Sequence, residues 1–203
     1  MSKFNENNGV LIQGHIKIHD TESGAVFVNK RNAIHYENMS IALAESVANQ
    51  GQGFINSMAF GNGGTSVDPT GIITYLTPNS TGTNASLYNQ TYSKVVDDRS
   101  VTNLDPQRNK IETRHVNGTN YTDVLVTCLL DYGEPNGQDA VDQASQANSL
   151  YVFDELGLVS YSPSGTGKLL THVVFHPVQK SLNRLVQIDY TVRVQSLTGF
   201  NEG

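Results

Sequence analysis

Hydrophobic and polar residues alternate along several stretches of the chain, most clearly near its C-terminal end. Apolar side chains occupy every second position from Val186 to Val194, and the positions between them are polar. A period of two predicts a β-strand with one face on a core and the other in water. Weaker versions of the pattern occur at 10–18, 24–29, 54–60, 111–116, 121–131, 151–159 and 168–175. We therefore predict a mainly β, antiparallel, β-sandwich-like protein.

Residues 33–48 have a different period. Apolar residues recur there three or four positions apart, at Tyr36, Met39, Leu43 and Val47. This spacing predicts one α-helix whose apolar face packs on a sheet. Asn32 is the predicted N-cap, and Gly51 is the predicted C-terminal stop. An α+β architecture is the alternative fold class.

The dipeptide Asn117-Gly118 separates two of the predicted strands and is a strong hairpin signal. We predict an antiparallel pair on either side of it. One face of the second strand is assigned to the core, namely Val124, Val126, Cys128 and Leu130. Cys128 is the single cysteine, and its place within an apolar run predicts a packed side chain. Residues 138–148 predict at most a short polar helix.

We expect residues 10–200 to form a single β-rich domain, preceded at 1–9 by a polar arm that becomes ordered on assembly. The domain includes a long loop excursion at about 65–110, rich in Asn, Ser, Thr and Gly. Long loops within compact domains are usually functional, and tyrosines are enriched in protein interfaces. The predicted partner-contact residues are Tyr75, Leu76, Tyr88 and Tyr92.

Composition limits the classes of partner. The formal net charge is −6 and Lys and Arg are not clustered, so we predict no nucleic-acid partner. No apolar run approaches the roughly 18 residues of a membrane span, so we predict no membrane partner. Charged residues make up only 16% of the chain, whereas Asn, Gly, Ser and Thr are abundant. Such a composition is typical of assembly proteins and of sugar-binding proteins.

The motifs that could carry chemistry are weak. Residues 165–168 (GTGK) lack the first glycine and the final Ser or Thr of a phosphate-binding loop, and a strand is predicted after them. Two histidine pairs, His15 with His19 and His172 with His176, have a spacing that puts their rings about 13 Å apart on strands, so we predict surface histidines. The paired carboxylates at 97–98 and 154–155 are predicted to be solvated or salt-bridged. We predict no catalytic residue, no cofactor and no metal.

Five blocks follow one another in a distinctive order: 38–48 (NMSIALAESVA), 54–64 (FINSMAFGNGG), 123–130, 151–158 (YVFDELGL) and 184–194. This order resembles the N-terminal, particle-attaching domain of bacteriophage tail-collar-fibre proteins and related virion proteins of tailed phages. That family has a small helix, a strand that ends in ALGNGG-like residues and a later EIGLF-like strand. Residues 58–64 and 154–158 fit the last two places. The stretch at 65–110 is longer than the family pattern implies.

The resemblance implies a structural component of a tailed phage particle: a collar or neck protein, a fibre adaptor or a baseplate protein, located in the virion. It implies oligomeric assembly with copies of itself and with other virion proteins, and no enzymatic activity. Because the sequence ends at Gly203 without shaft repeats, we expect a stand-alone part rather than a fibre.

Three alternatives come from other functional classes. The first is a receptor- or glycan-binding β-sandwich module in which Tyr75, Tyr88 or Tyr92 contacts a sugar. The second is a capsid decoration protein, for which the same composition is suitable. The third is an enzyme such as a glycosidase, in which two carboxylates distant in sequence face each other across a cleft.

Overall fold

The computed structural model of the protein describes residues 9–135 and 150–197. Within these ranges the chain forms eleven β-strands and the single helix α1 (Tyr36–Val47). The predicted mainly β class is therefore confirmed. The strands are β1 (Gly9–Asp20), β2 (Val26–Ile34), β3 (Ile55–Gly61), β4 (Thr65–Val67), β5 (Ile73–Tyr75), β6 (Gln90–Val95), β7 (Lys110–His115), β8 (Tyr121–Leu130), β9 (Leu150–Ser160), β10 (Thr171–Ser181) and β11 (Val186–Leu197).

Nine strands form one antiparallel sheet in the order β6-β3-β9-β10-β2-β1-β11-β8-β7, and β4 and β5 form a separate hairpin. The strands β10 and β2 share only two residue pairs, Thr171 with Ile34 and His172 with Ala33. At this narrow junction the sheet divides into a four-stranded layer (β6, β3, β9, β10) and a five-stranded layer (β2, β1, β11, β8, β7). Apolar side chains from both layers form one core, so the arrangement is sandwich-like.

The two layers supply the core in the way that the alternation predicts. The inner face of β11 is buried and consists of Val186, Ile188, Tyr190 and Val192. In the four-stranded layer the Phe153 ring packs edge-on against Phe60 (5.4 Å between centroids) and Phe175 (5.8 Å). Burying each such side chain contributes about 1.5–3 kcal/mol, so these two inner faces are the main source of stability.

The predicted hairpin at Asn117-Gly118 is confirmed. Strands β7 and β8 pair antiparallel on either side of it, and Gly118 has a φ of 86°, which glycine adopts without strain. The predicted core face of β8 is buried apart from Val124, which is partly buried. Burial raises the pKa of the Cys128 thiol to about 12, so this thiol stays protonated and unreactive.

The start of the helix differs from the prediction. Its N-cap is His35, whose Nδ1 accepts a hydrogen bond from the backbone N–H of Asn38 (3.2 Å). The predicted cap, Asn32, lies within β2, because the two residues that follow it pair with β10. Hydrogen bonds between these distant strands override the local helical pattern.

The end and the buried face of the helix also differ from the prediction. The helix stops before Gly51, with Ala48 as C-cap and with Asn49 in the left-handed region (φ 51°). The buried residues are Asn38, Met39 and Ala42. The other members of the predicted apolar face, Tyr36, Leu43 and Val47, are exposed. The helix thus contacts the core along one narrow strip and leaves a second apolar face in solvent.

Residues 65–110, predicted as a long loop excursion, contain β4, β5 and β6 and reach the first residue of β7. Strands β4 and β5 pair with each other, and β6 pairs with β3 at the edge of the four-stranded layer. The segment that connects β5 to β6 covers the outer face of that layer, where Leu87 packs with Ala59 and Leu169. The part of this stretch between β5 and β6 is therefore a cover on the sheet.

Some predictions concern residues outside the described ranges. The short polar helix at 138–148 lies outside them, as does the polar arm at 1–9 except for Gly9, which begins β1. At the other end of the predicted 10–200 domain, the described residues end at Leu197.

Gly157 of β9 lies against the start of β10, where a Cβ would overlap the carbonyl oxygen of Thr171 and the side chain of Leu169. We expect Gly157→Ala to lower the free energy of unfolding by about 1–3 kcal/mol, because the backbone must shift. Gly9→Ala is the control, since its Cβ would meet Leu197 at an ordinary 3.7 Å. Urea unfolding measures both variants, and equal stabilities would contradict this close approach.

Candidate functional site

The candidate site is the surface formed by residues 62–89, which we call the anchored excursion. It follows β3, carries the β4–β5 hairpin and returns to the sheet at β6. Strands β3 and β9 pair so that Gly61 lies opposite Glu155. This pairing brings together the blocks 58–64 and 154–158, which carry the resemblance to the phage proteins.

Glu155 is the centre of the contacts beneath the anchored excursion, and its side chain is completely buried. Its Oε1 accepts hydrogen bonds from the backbone N–H groups of Gly63 (3.1 Å) and Asn89 (2.8 Å). Its Oε2 accepts from the backbone N–H of Tyr88 (3.0 Å) and from Nε2 of His172 (2.9 Å). A carboxylate is stable in such a place only when donors replace water. Because three donors are backbone groups of the excursion, the carboxylate holds the excursion on the sheet.

These contacts also set the ionisation of Glu155. Burial alone raises the pKa of its carboxyl group. The hydrogen bonds from His172 and from the three backbone N–H groups together outweigh burial and lower that pKa below its ordinary value of 4.5. The group is therefore an anion at neutral pH.

His172 is the second buried member of the anchor. Its Nδ1 accepts a hydrogen bond from the backbone N–H of Asn79 (2.8 Å), so the ring proton lies on Nε2 and is donated to Glu155. The prediction of a surface histidine is therefore wrong for His172, because the anchored excursion covers it. His176 lies four residues further along β10 and is exposed. Its Nδ1 lies 3.3 Å from the Tyr75 hydroxyl.

Asp154 fixes the start of the anchored excursion. Its carboxylate accepts hydrogen bonds from the backbone N–H groups of Gly64 and Thr65, both at 2.9 Å, and from the Thr65 hydroxyl. Neighbouring residues of a regular strand face opposite ways, but the β9–β10 ladder is irregular at this point. Both Asp154 and Glu155 consequently receive donors from the same glycine-rich turn.

Reasoning from the sequence missed this anchor, since it predicted solvated or salt-bridged carboxylates at 154–155. One signal was available: two acidic residues interrupt an otherwise apolar strand at 151–159, where charge is rare unless it is partnered. A second signal was the glycine-rich end of the block 58–64. A Cβ at Gly63 would collide with the backbone of Asn89, so small residues are needed for the close approach.

The four predicted partner-contact residues lie in two environments. Tyr75, Leu76 and Tyr88 are on the surface of the anchored excursion, with Tyr75 half exposed. The hydroxyl of Tyr88 donates to the Thr77 carbonyl oxygen (2.5 Å), which fixes its ring. Tyr92 is buried, because its pairing opposite Phe60 turns it into the core, and it is not available to a partner.

The β4–β5 hairpin presents two further apolar side chains. Its turn is held by Asp68, whose Oδ1 accepts from the backbone N–H groups of Thr70 (2.8 Å) and Ile72 (3.0 Å). Val67 and Ile72 flank this turn and are 62% and 63% exposed. Exposed apolar side chains on an ordered support are typical of interfaces. We call the exposed set the display surface: Val67, Ile72, Tyr75, Leu76 and Tyr88.

A shallow groove of about 270 Å³ borders the display surface. It opens where β2 and β10 separate after their two residue pairs, and Lys30 bridges it by donating from Nζ to the Val174 carbonyl oxygen (2.9 Å). Aromatic and polar side chains line it together: Phe27, Val28, Asn29, Lys30, Tyr75, Phe175 and His176. Its volume is just below the range of typical small-molecule sites.

The polar groups beneath the excursion are occupied by internal hydrogen bonds. Every carboxylate oxygen of Glu155 and both ring nitrogens of His172 are engaged in hydrogen bonds beneath the excursion. Within residues 9–135 and 150–197, no group of three or more His, Cys, Asp or Glu side chains is arranged to hold a metal ion. In the same ranges no helix is long and apolar enough to span a membrane.

Comparison with known proteins gives no match to a family model, to a curated protein or to a solved structure. The fold and site define the chain as a β-sandwich-like protein with a buried polar anchor beneath an apolar display surface.

Glu155→Gln tests the anchor. The side-chain amide keeps the shape, but it removes the charge and turns an N–H group toward one of the existing donors. We expect the free energy of unfolding to fall by about 3 kcal/mol, as when one partner of a buried polar pair is lost. Glu112→Gln on the exposed strand β7 is the control, with an expected change within about 0.5 kcal/mol. Urea unfolding at pH 7 compares them, and equal small changes would rule out the anchor.

The contribution of Glu155 also has a defined pH dependence. Because the folded-state pKa lies below the ordinary 4.5, the stabilisation is fully present above that value and is lost as the pH falls through the folded pKa. The stability difference between the wild type and Glu155→Gln should therefore shrink below about pH 4.5. Unfolding midpoints from pH 7 downward measure it, and a difference that is constant with pH would contradict the lowered pKa.

Proposed function

We propose that this chain is a non-catalytic structural component of a tailed bacteriophage particle: a collar or neck protein, a fibre adaptor or a baseplate protein. It acts by assembling with copies of itself and with other virion proteins. The proposal starts from the five blocks of sequence that resemble the particle-attaching domain of tail-collar-fibre proteins.

The observation that carries the proposal is that the two most distinctive blocks form one unit. The turn at 61–64 donates backbone hydrogen bonds to the carboxylates of Asp154 and Glu155. Two short blocks that agree with a family by accident have no reason to meet in space. Blocks that depend on each other favour a shared architecture.

The exposed apolar surface supports an assembly role. Single exposed apolar residues are ordinary, and the chain has several, but two ordered elements each carry a group of them. One group is the display surface, and the other is the outer face of α1, where Tyr36 and Val47 are 73% and 87% exposed. Low charge is tolerable on surfaces that neighbouring subunits cover.

The anchor explains how such a part would act. A loop that becomes ordered only on binding loses conformational entropy at that moment, which weakens association. Asp154, Glu155 and His172 hold the anchored excursion in place beforehand. The sandwich then acts as a rigid block that presents Val67, Ile72 and Tyr75 to a neighbour.

A glycan- or receptor-binding module is the second candidate, and the groove is the observation that favours it. Aromatic rings with neutral amides suit sugars, and the groove combines Phe27 and Tyr75 with Asn29. Saturable binding on a glycan array that disappears in Tyr75→Ala would favour this candidate. If the wild type binds no glycan on the array, the result would contradict this second candidate.

Immunogold labelling of intact particles from the source, viewed by electron microscopy, tests the proposed function. A ring of label at the neck or baseplate is the expected result. Label spread over the head would replace the proposal with capsid decoration, and unlabelled particles would overturn any virion role.

Removing the apolar side chains at the hairpin tip tests the display surface. We expect Val67→Ser combined with Ile72→Ser to reduce incorporation into particles about tenfold, because losing well-packed contacts costs at least about 1.4 kcal/mol. The matched control is Val101→Ser, at a site that is equally apolar, highly exposed and outside the display surface. Label density per particle measures both, and equal incorporation would contradict a role for the hairpin.

A further inference from the structure

The first half of β1 has a neighbour on one side only. β1 pairs with β11 along its whole length, from Gly9 to Asp20. On its other side the β1–β2 ladder begins only at Gly14, which lies opposite Asn32. Within the part of the chain that the structure describes, residues 9–13 are therefore an open strand edge.

The direction in which the backbone N–H and C=O groups of this edge point follows from the hydrogen bonds at the far end of β1. The N–H of Asp20 donates to Ala25 on the β2 side, and the N–H of Thr21 donates to Leu185 on the β11 side. Successive N–H groups of a strand alternate in direction, and the β1–β11 ladder is uninterrupted. The N–H and C=O groups of Val10 and Ile12 therefore point to the open side, and those of Leu11 point to β11.

The open edge lacks the usual protection against pairing with another chain. Residues 9–13 (GVLIQ) include no charge and no proline, and Val10 is 62% exposed. The edge strand β7 is different, with Lys110, Glu112 and Arg114 at alternate positions. Charged side chains of this kind prevent edge-to-edge association. The β7 edge is thus guarded by charge, whereas residues 9–13 of β1 are not.

We propose that residues 9–13 pair antiparallel with the same residues of a second copy, about a two-fold axis through Leu11. In that register Val10 of each copy lies opposite Ile12 of the other, and these are the residues whose polar groups face the open side. Leu11 then lies opposite itself as a non-hydrogen-bonded pair. A neutral segment is self-complementary, since the pairing opposes no like charges.

This interface joins the five-stranded layers of two copies into one continuous sheet. Pairing along five residues buries less surface than the roughly 1,200–2,000 Å² of a stable interface. Association in solution is therefore reversible and depends on concentration. The inference deepens the proposed function and rests on it in one respect, namely that the chain assembles with its own copies.

Disulfide trapping tests the register. In the paired state the Cα atoms of the two Leu11 residues are about 4.5 Å apart, within the range that a disulfide spans. We expect Leu11→Cys to give a cross-linked dimer under mild oxidation. Buried Cys128 does not interfere, because its thiol is unreactive.

Two further cysteine variants are the controls. Val10→Cys lies on the same edge but out of register, and Thr113→Cys lies on the guarded edge strand β7. Equal cross-linking in all three would mean random collision and would overturn the proposal.

A proline variant tests the edge without a new thiol. Val10→Pro removes an N–H that faces the open side, so it leaves the β1–β11 ladder intact. Sedimentation velocity at increasing concentration should show dimers for the wild type and monomers for Val10→Pro, with unchanged circular dichroism. A wild type that is monomeric at every concentration would overturn the pairing. Dimers together with unlabelled phage particles would instead preserve the pairing and remove the virion role.

Discussion

An anion beneath the anchored excursion is stable only while donors surround it, and this requirement organises the outer half of the molecule. Glu155 has no contact with water, and its four donors come from the glycine-rich turn, from the return to β6 and from His172. The chain between β3 and β6 must therefore pack against the outer face of the four-stranded layer. Leu87 and its apolar neighbours are buried as a result.

The same requirement connects the fold to the proposed role. A β-sandwich supplies rigidity but exposes mostly polar faces, and an assembly protein needs apolar groups held at fixed positions. The anchor meets this need by ordering a segment that is rich in Asn, Ser, Thr and Gly, which has little tendency to fold by itself. Tyr75 and the hairpin tip are thereby presented without the entropic loss of a mobile loop.

Features set by nearby residues could be predicted from the sequence, and features set by distant pairing could not. The alternation at 186–194 and the turn at Asn117-Gly118 are local, and both were predicted. Asn32 has a good capping side chain, but pairing with β10 draws the next residues into a strand. The sequence predicts Tyr92 as an interface residue, yet pairing with β3 turns its side chain inward. The contact between Glu155 and His172 depends on three strands and a loop, so no spacing rule could find it.

Native-state hydrogen exchange in the wild type is the most direct measurement of the anchor. The backbone N–H groups of Gly63, Tyr88 and Asn89 lie in loops, where exchange is ordinarily fast. If the buried carboxylate holds them, they exchange as slowly as the N–H groups of the central strand β11. Exchange at the rate of the exposed turn at Asn117-Gly118 would contradict the anchor and, with it, the rigid display surface.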